Sequence, residues 1–133
     1  PDPTSFFCLV NNIKEENVIK IQAAVSDERM LVELGDTGSH GHLTTGIDIK
    51  EPKPGRIPTL LIDDLNLPVC NLIQLDVEYY EYIALLGAIE TIKRCSPVII
   101  AENGHVETIV NLLEPLGYKI IDKTSYDTIW SKE

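Results

Sequence analysis

Two apolar runs separated by one amphipathic segment constrain the fold of this 133-residue chain more than any other feature. The first run spans 71–76, and the second is Pro97-Val98-Ile99-Ile100-Ala101. The first run is mostly apolar and the second is continuously apolar, and a continuous run is typical of a strand buried on both faces of a parallel sheet. The segment 80–93 between them carries Leu85, Ile89 and Ile92 at helical spacing. This order predicts two adjacent parallel strands joined by a right-handed helical crossover.

The same pattern continues toward the end of the chain. Apolar residues recur at helical spacing over 106–116, and Gly117 follows where a left-handed helix cap is wanted. Short strands are predicted at 118–121 and 128–130. The sequence therefore predicts an α/β domain with a mostly parallel sheet and helices on both of its faces.

The first half carries weaker signals. Asp2 and Pro3 precede apolar residues at helical spacing, which predicts a helix with Asp2 as its N-cap. Alternation over 18–25 predicts a strand, and 30–34 a second short strand. We expect a long loop over 35–58, with room for a short strand near 43–49, because five glycines and three prolines fall there. Residues 59–62 are expected to be extended and 63–65 to form a turn or short helix.

Composition narrows the class of protein and of partner. A length of 133 residues fits one domain over 1–133, and 44% apolar residues fit a globular fold. The net charge of −10 argues against nucleic acid or an anionic membrane as the main partner. Three cysteines without a C-x-x-C pair favour reduced, mostly buried thiols in a cytoplasmic protein over a disulfide framework or zinc ribbon.

Acidic residues follow both predicted central strands. Asp76, Glu78 and Glu81 come after the first strand, and Glu102 and Asn103 come after the second. Ligands of open parallel sheets bind beyond the carboxyl ends of the strands, and neighbouring strands lie about 4.8 Å apart, so Asp76 and Glu102 are expected to share one cleft. Three interpretations remain open for this cluster: a site for a hard cation, a general base, or carboxylates that only cap backbone N–H groups.

The three histidines give weaker hints. His40-Gly41-His42 is a sparse metal-ligand pattern, for which a solvated loop is the competing interpretation. His105 follows Asn103 and is a candidate at the rim of the cleft, or a surface residue at a helix start. The sequence contains no G-x-G-x-x-G, Walker, G-x-S-x-G or H-E-x-x-H motif, so nucleophilic Ser or Cys catalysis has no support.

Four segments, in order, resemble the FkbM-type family of S-adenosylmethionine-dependent methyltransferases. The most specific part is Leu72-Ile73-Gln74-Leu75-Asp76-Val77-Glu78 with Glu81 and Leu86-Gly87-Ala88, followed by Pro97-Val98-Ile99-Ile100-Ala101-Glu102. The two earlier segments are Asn11-Asn12-Ile13 leading to Ala23-Ala24-Val25-Ser26-Asp27, and Thr59-Leu60-Leu61-Ile62-Asp63-Asp64-Leu65. The last of the four segments, Pro97 to Glu102, is followed by Leu116-Gly117-Tyr118. Two positions depart from the family pattern: Gln74, where a basic residue is usual, and Tyr79, where glycine is usual.

The resemblance implies a Rossmann-like class I methyltransferase fold and methyl transfer from S-adenosyl-L-methionine to an oxygen of a small-molecule or glycan acceptor. It places Ser26 and Asp27 at the adenine edge of the cofactor. Asp76, Glu78 and Glu102 would act at the acceptor hydroxyl as catalytic residues. Glu81, Asn103 and His105 would contact the acceptor, and no resident metal is implied.

The resemblance also implies that a cofactor-binding strand, a glycine-rich loop and a ribose-binding acidic residue precede a helix start like Pro1-Asp2-Pro3. We therefore expect an N-terminally truncated domain with an exposed apolar edge and weak or no cofactor binding. Two alternatives stay open: a non-catalytic α/β interaction module, and a divalent-metal-dependent transferase or hydrolase.

Overall fold

The computed structural model describes residues 1–32, 57–77 and 79–132. The α-helices are α1 Pro3–Asn12, α2 Glu81–Leu86, α3 Ile89–Cys95 and α4 Val106–Leu113. The strands are β1 Ala24–Val25, β2 Leu31–Val32, β3 Ile57–Leu60, β4 Leu72–Leu75, β5 Val98–Glu102, β6 Tyr118–Lys123 and β7 Asp127–Lys132. Short 3₁₀ turns lie at Ile62–Leu65, Asn103–His105 and Glu114–Leu116.

The described strands form two sheets. The smaller has the order β1-β3-β2 and the larger β4-β5-β7-β6. Strands β4 and β5 are parallel neighbours, with Leu72 opposite Val98 and Leu75 opposite Ala101. Helices α2 and α3 connect them, which confirms the predicted adjacent, parallel pair.

The expectation of a mostly parallel sheet is not confirmed, because both sheets formed by the described strands are mixed. Pairs β1–β3 and β4–β5 are parallel, whereas β2–β3, β5–β7 and β6–β7 are antiparallel. Only residues 124–126 connect β6 to β7. A parallel pair needs a crossover of a dozen or more residues, so this short connection forces a hairpin.

One face of the larger sheet is covered by α2, α3 and α4. Ile73, Leu75, Ile99, Ala101 and Trp130 point from the strands into a core cluster with these helices. The helices contribute Ala84, Leu85, Ala88, Ile92, Ile109 and Leu113. Residues at the alternate strand positions, such as Leu72, Gln74 and Ile100, stay exposed or half-buried. The alternation therefore gives this sheet one well-packed face and one wetter face.

The single helix predicted over 80–93 is two helices, because Asp63 replaces the intrahelical hydrogen-bond partners at their junction. A Cβ built on Gly87 would lie 2.0 Å from the carbonyl oxygen of Ser26. The carbonyl of Gly87 accepts a hydrogen bond of 2.9 Å from the N–H of Asp63. The carboxylate of Asp63 in turn accepts from the N–H groups of Glu90 (3.0 Å) and Thr91 (2.7 Å). Asp63 thus supplies the N-terminal cap that the second helix lacks in its own sequence.

The predicted N-cap of α1 is confirmed. Asp2 accepts a hydrogen bond of 2.7 Å from the N–H of Ser5, and this bond lowers the pKa of its carboxyl group. No residue of α1 is buried, however, and Phe7 is 69% exposed. The amphipathic pattern therefore marks a helix whose apolar side is not covered by the described residues.

The strand predicted over 18–25 is reduced to Ala24–Val25, which pair with β3. Ile19 is 87% exposed, and Val18 and Ile21 are exposed as well. Alternation shows which residues would share a face, but a strand forms only where a partner supplies backbone hydrogen bonds. The partner of β1 is β3 and the described partner of β4 is β5, so β1 and β4 do not pair. The short strand near 43–49 and most of the loop over 35–58 lie outside the described residues.

None of the helices in the described ranges has the length and apolar character needed to cross a bilayer. The predicted turn at 63–65 is confirmed as part of the 3₁₀ turn Ile62–Leu65. Gly117 has φ 89°, as its predicted left-handed cap requires. The Arg29 guanidinium binds the Asp64 carboxylate through two nitrogens, which ties the segment before β2 to this turn and lowers the pKa of Asp64.

Candidate functional site

Three carboxylate residues lie at the same end of three neighbouring strands in the larger sheet. Asp76 follows Leu75, the last paired residue of β4, whose partner on β5 is Ala101. Glu102 is therefore the next residue in register on β5, and it pairs with Asp127 at the start of β7. Asp76 is exposed, and Glu102 and Asp127 are half-buried. The register thus places Asp76, Glu102 and Asp127 side by side across three strands.

Tyr79 joins the loop after β4 to the loop after β5. Its ring packs on Gly104, where an added Cβ would lie 2.9 Å from the ring atom Cδ1. The same ring meets the His105 imidazole edge-on, with 5.8 Å between ring centroids. The ring is 59% exposed, and the Tyr79 backbone has φ 69°, the left-handed region that favours glycine. These contacts hold the two acidic strand ends beside each other.

Glu81 lies beneath this loop rather than on the rim. Its side chain is fully buried in the first turn of α2, and its Oε1 accepts a hydrogen bond of 3.1 Å from the N–H of Val77. Within the described residues, its Oε2 has no hydrogen-bond partner. Its shown contact is thus one that fixes the backbone directly after Asp76.

Asn103 fastens the end of β5 to the β6–β7 hairpin. Its backbone N–H donates to the carbonyl of Tyr126 (2.8 Å), and its Nδ2 donates to the carbonyl of Thr124 (3.4 Å). Its Oδ1 accepts from the hydroxyl of Thr128 at 2.6 Å. The amide is therefore engaged on both sides by the hairpin, while His105 next to it is exposed.

Ser26 and Asp27 lie at the end of β1. Ser26 is fully buried, its N–H donates to the carbonyl of Leu60 (2.9 Å), and its backbone carbonyl packs against Gly87. Its Oγ accepts a long hydrogen bond of 3.4 Å from the N–H of Glu28. Asp27 is half-buried, so its carboxylate is more accessible to a ligand than the Ser26 hydroxyl.

The described residues supply one edge of a cofactor site and not a complete one. Asp27 could accept hydrogen bonds from a nucleoside. The described glycines are Gly87, Gly104 and Gly117; none lies in a glycine-rich turn after a strand, where backbone approaches a nucleotide closely. The described residues alone therefore do not fit around S-adenosylmethionine.

Three of the sequence-based candidates lie outside the described residues: Glu78, and the histidine pair His40 and His42. In the described ranges, no group of three or more His, Cys, Asp or Glu side chains could hold a metal ion. The roles assigned to Ser26, Asp27, Asp76, Glu81, Glu102, Asn103 and His105 stay predictions, although their positions are now known.

Sequence reasoning missed Asp127 and the contact made by Tyr79. Asp127 joins the row only through the antiparallel register of β7, which spacing along the chain does not reveal. Tyr79 did leave a signal, because an aromatic residue stands where the resembled family usually has glycine. That signal indicated a narrowed cleft but not the glycine beneath the ring.

The family model described as the methyltransferase FkbM domain matches residues 1–120. Comparison with curated proteins gave no match, and neither did comparison with solved structures.

Proposed function

Because this chain belongs to the FkbM methyltransferase domain family, we propose that it forms the acceptor side of an S-adenosylmethionine-dependent O-methyltransferase. The observation that carries the proposal is the parallel β4–β5 pair, which brings Asp76 and Glu102 to one sheet edge. The proposed acceptor is a hydroxyl of a small molecule or glycan, and the proposed fold of the domain is Rossmann-like.

The carboxylates suit the chemistry at an acceptor hydroxyl. Methylation of a hydroxyl oxygen requires that its proton leaves, and a carboxylate within hydrogen-bond distance can orient the O–H and accept that proton. We assign this role to Asp76, with Glu102 as its neighbour in register and Glu78 as a further catalytic candidate. Holding the acceptor in place supplies much of the rate, because aligned reactants have already lost their freedom of motion.

The surrounding residues position this edge. Glu81 holds the backbone after Asp76 through the Val77 N–H, and Asn103 holds the end of β5 against the β6–β7 hairpin. His105 and Tyr79 form an exposed rim that an acceptor would touch. The net charge of −10 supports a partner that is neither nucleic acid nor a membrane surface. The three cysteines without a C-x-x-C pair support a cytoplasmic enzyme.

FkbM methyltransferases generally use S-adenosylmethionine, and Ser26 and Asp27 are the proposed contacts of this chain to it. Since the described residues supply only one edge of that site, we propose that residues 1–133 alone bind the cofactor weakly or not at all and do not turn over. Calorimetric titration of the 133-residue chain with S-adenosylmethionine should show no saturable heat. Low-micromolar binding by this chain would contradict the proposal that residues 1–133 hold only part of the cofactor site.

The catalytic assignment is tested by Asp76→Asn in a longer form of the protein that contains residues 1–133, binds S-adenosylmethionine and transfers methyl groups. We expect methyl transfer to be abolished while cofactor binding stays within about twofold, since the residue is placed on the acceptor side. The matched control is Asp122→Asn, the same change at an exposed position of β6, which should leave turnover unchanged. Unchanged turnover in Asp76→Asn would remove this residue from the mechanism.

A further inference from the structure

Two cysteines lie beside the starts of β4 and β5, at the end of the larger sheet opposite the carboxylates. Cys70 lies just before β4, is 8% exposed and belongs to the core cluster. Cys95 is the last residue of α3, is half-buried and packs against the same cluster. Cys8, by contrast, is exposed on α1. No function assigned above uses either residue of the Cys70–Cys95 pair.

Backbone and side-chain contacts bring the segments 67–71 and 94–98 alongside each other. The Arg94 guanidinium donates to the carbonyl of Leu67 at 2.8 Å, and the N–H of Val98 donates to the carbonyl of Asn71 at 2.9 Å. These two hydrogen bonds bracket Cys95 on one segment and Cys70 on the other.

The two cysteines also share one hydrophobic cluster. Cys70 is a buried member of this cluster, and Cys95 packs against it from the end of α3. The paired strands begin at Leu72 and Val98, and Ser96, with φ 50°, turns the chain between Cys95 and β5. The proposed bond requires Cα atoms about 4.4–6.8 Å apart, the range of native disulfides.

The electrostatics of the same corner agree with this geometry. Burial raises the pKa of the Cys70 thiol, and the neighbouring Cys95 thiol raises it further. Burial and both thiols raise the pKa of Tyr118, whose hydroxyl donates to the carbonyl of Pro97 at 2.9 Å. These directions agree with the packing, in which Cys70 and Tyr118 belong to one core cluster and Cys95 lies against it.

We propose that Cys70 and Cys95 are a modification site, a thiol pair that forms a reversible disulfide by exchange with a low-molecular-weight disulfide such as oxidised glutathione. The thiolate of the more accessible Cys95 attacks one glutathione sulfur, and the other glutathione leaves as a thiolate. The thiolate of Cys70 then attacks the mixed disulfide at Cys95, and the second glutathione leaves. One small disulfide is reduced to two thiols, and the two protein thiols lose two protons and two electrons.

The bond would clamp the start of β4 to the end of α3. It would close the segment 70–95, which contains α2, α3 and the loop that carries Asp76. Cross-linking restricts the unfolded chain, so the midpoint of thermal unfolding should rise by several degrees. In a reducing compartment such a bond is transient, which makes it a sensor of oxidation rather than a permanent staple.

The test uses the 133-residue chain with Cys8→Ser, which removes the exposed thiol. After incubation with oxidised glutathione and blocking of free thiols, trypsin should release the peptides 57–93 and 95–119 as one disulfide-linked species. Equilibrium with mixtures of oxidised and reduced glutathione gives the effective concentration of the thiol pair. We expect this value to be about tenfold or more higher in the folded chain than in concentrated urea.

Control variants make the outcome decisive. Cys8→Ser/Cys70→Ser should stop at a glutathione adduct on Cys95, which shows that Cys70 completes the exchange. A stable glutathione adduct in the chain with both thiols would overturn the proposal, and so would an effective concentration no higher than in urea. The test measures neither cofactor binding nor methyl transfer, so its failure would leave the proposed function untouched.

Discussion

The carboxylate and the backbone N–H of Asp63 connect the turn after β3 to the helices that cover the larger sheet. Its carboxylate caps α3 at Glu90 and Thr91, and its N–H donates to Gly87. Asp63→Ala leaves two N–H groups at the start of α3 without their acceptor, so we expect the free energy of unfolding to fall by about 1–3 kcal/mol. Urea denaturation measures this loss. Asp64→Ala, which removes an exposed carboxylate paired with Arg29, is the matched control and should change stability little. Equal losses in both variants would contradict the capping role.

The left-handed backbone of Tyr79 gives a second prediction at the scale of one residue. Tyr79→Ala and Tyr79→Gly both remove the ring from Gly104, but only glycine adopts φ 69° without strain. We therefore expect Tyr79→Gly to be more stable than Tyr79→Ala by about 1 kcal/mol. Thermal unfolding of the two variants gives the difference. An alanine variant as stable as the glycine variant would show that this backbone position is not strained.

The predictable part of the candidate site is the part fixed by the β4–β5 crossover. Asp76 and Glu102 each follow an apolar run, and parallel strands present their carboxyl ends at one edge, so their proximity could be inferred. Asp127 could not, because its position depends on the pairing of a hairpin. The burial of Glu81 could not be inferred either, since a carboxylate in a first helical turn is usually solvated.

At the scale of elements, the close packing of Gly87 against Ser26 sets the position of β1 beside the α2–α3 break. Gly87 has an ordinary φ of −74°, so Gly87→Ala adds no backbone strain, only a Cβ where the Ser26 carbonyl lies. We expect a loss of at least about 2 kcal/mol in urea denaturation, because backbone must move to make room.

Gly117→Ala separates this contact from conformational strain. Nothing lies within 4 Å of a Cβ added at Gly117, but its φ is 89°. That variant should lose about 1 kcal/mol from strain alone. A smaller loss at Gly87 than at Gly117 would contradict the packing argument.

The sequence predicts helices and strands well where the residues that cap or bury them lie within the same segment. It does not predict elements whose bounds depend on residues far away in the chain. The helix at α1 and the strands at β4 and β5 carry their own caps and apolar runs. The break between α2 and α3 depends on Asp63, which lies 27 and 28 residues before the N–H groups it caps. The strand expected over 18–25 is shortened because alternation alone supplies no hydrogen-bond partner.

The stability of the whole molecule at alkaline pH depends on one buried phenol, that of Tyr118. Burial raises the pKa of Tyr118 from 10.0 to about 12. Between these two values the unfolded chain loses a proton that the folded chain keeps, so the free energy of unfolding falls as pH rises through this window. Urea denaturation at a series of alkaline pH values should show the fall, and Tyr118→Phe should flatten it. Tyr126→Phe is the control, because that ring is 74% exposed and should leave the slope unchanged.

The two sheets differ in how many apolar residues each of them buries. This difference should determine which parts of the molecule are locally most stable. The larger sheet packs on a cluster that includes Leu85, Ile99 and Trp130, whereas the smaller sheet buries only Ala24, Val32 and Ile57 among the described residues. Helix α1 has no buried residue. We therefore expect amide hydrogen exchange to be fastest in α1, intermediate in β1–β3, and slowest in β5 and β7.

The Gly87→Ala variant tests whether the smaller sheet depends on its contact with the α2–α3 break. Exchange in β1 and β3 should accelerate in this variant, because Ser26 follows β1 and its N–H bonds to Leu60 of β3. Exchange in β5 and β7 should keep its protection, since their cluster lies beneath the larger sheet. Uniform acceleration across both sheets would instead show that they unfold as one cooperative unit, with the Ser26–Gly87 contact part of a single core.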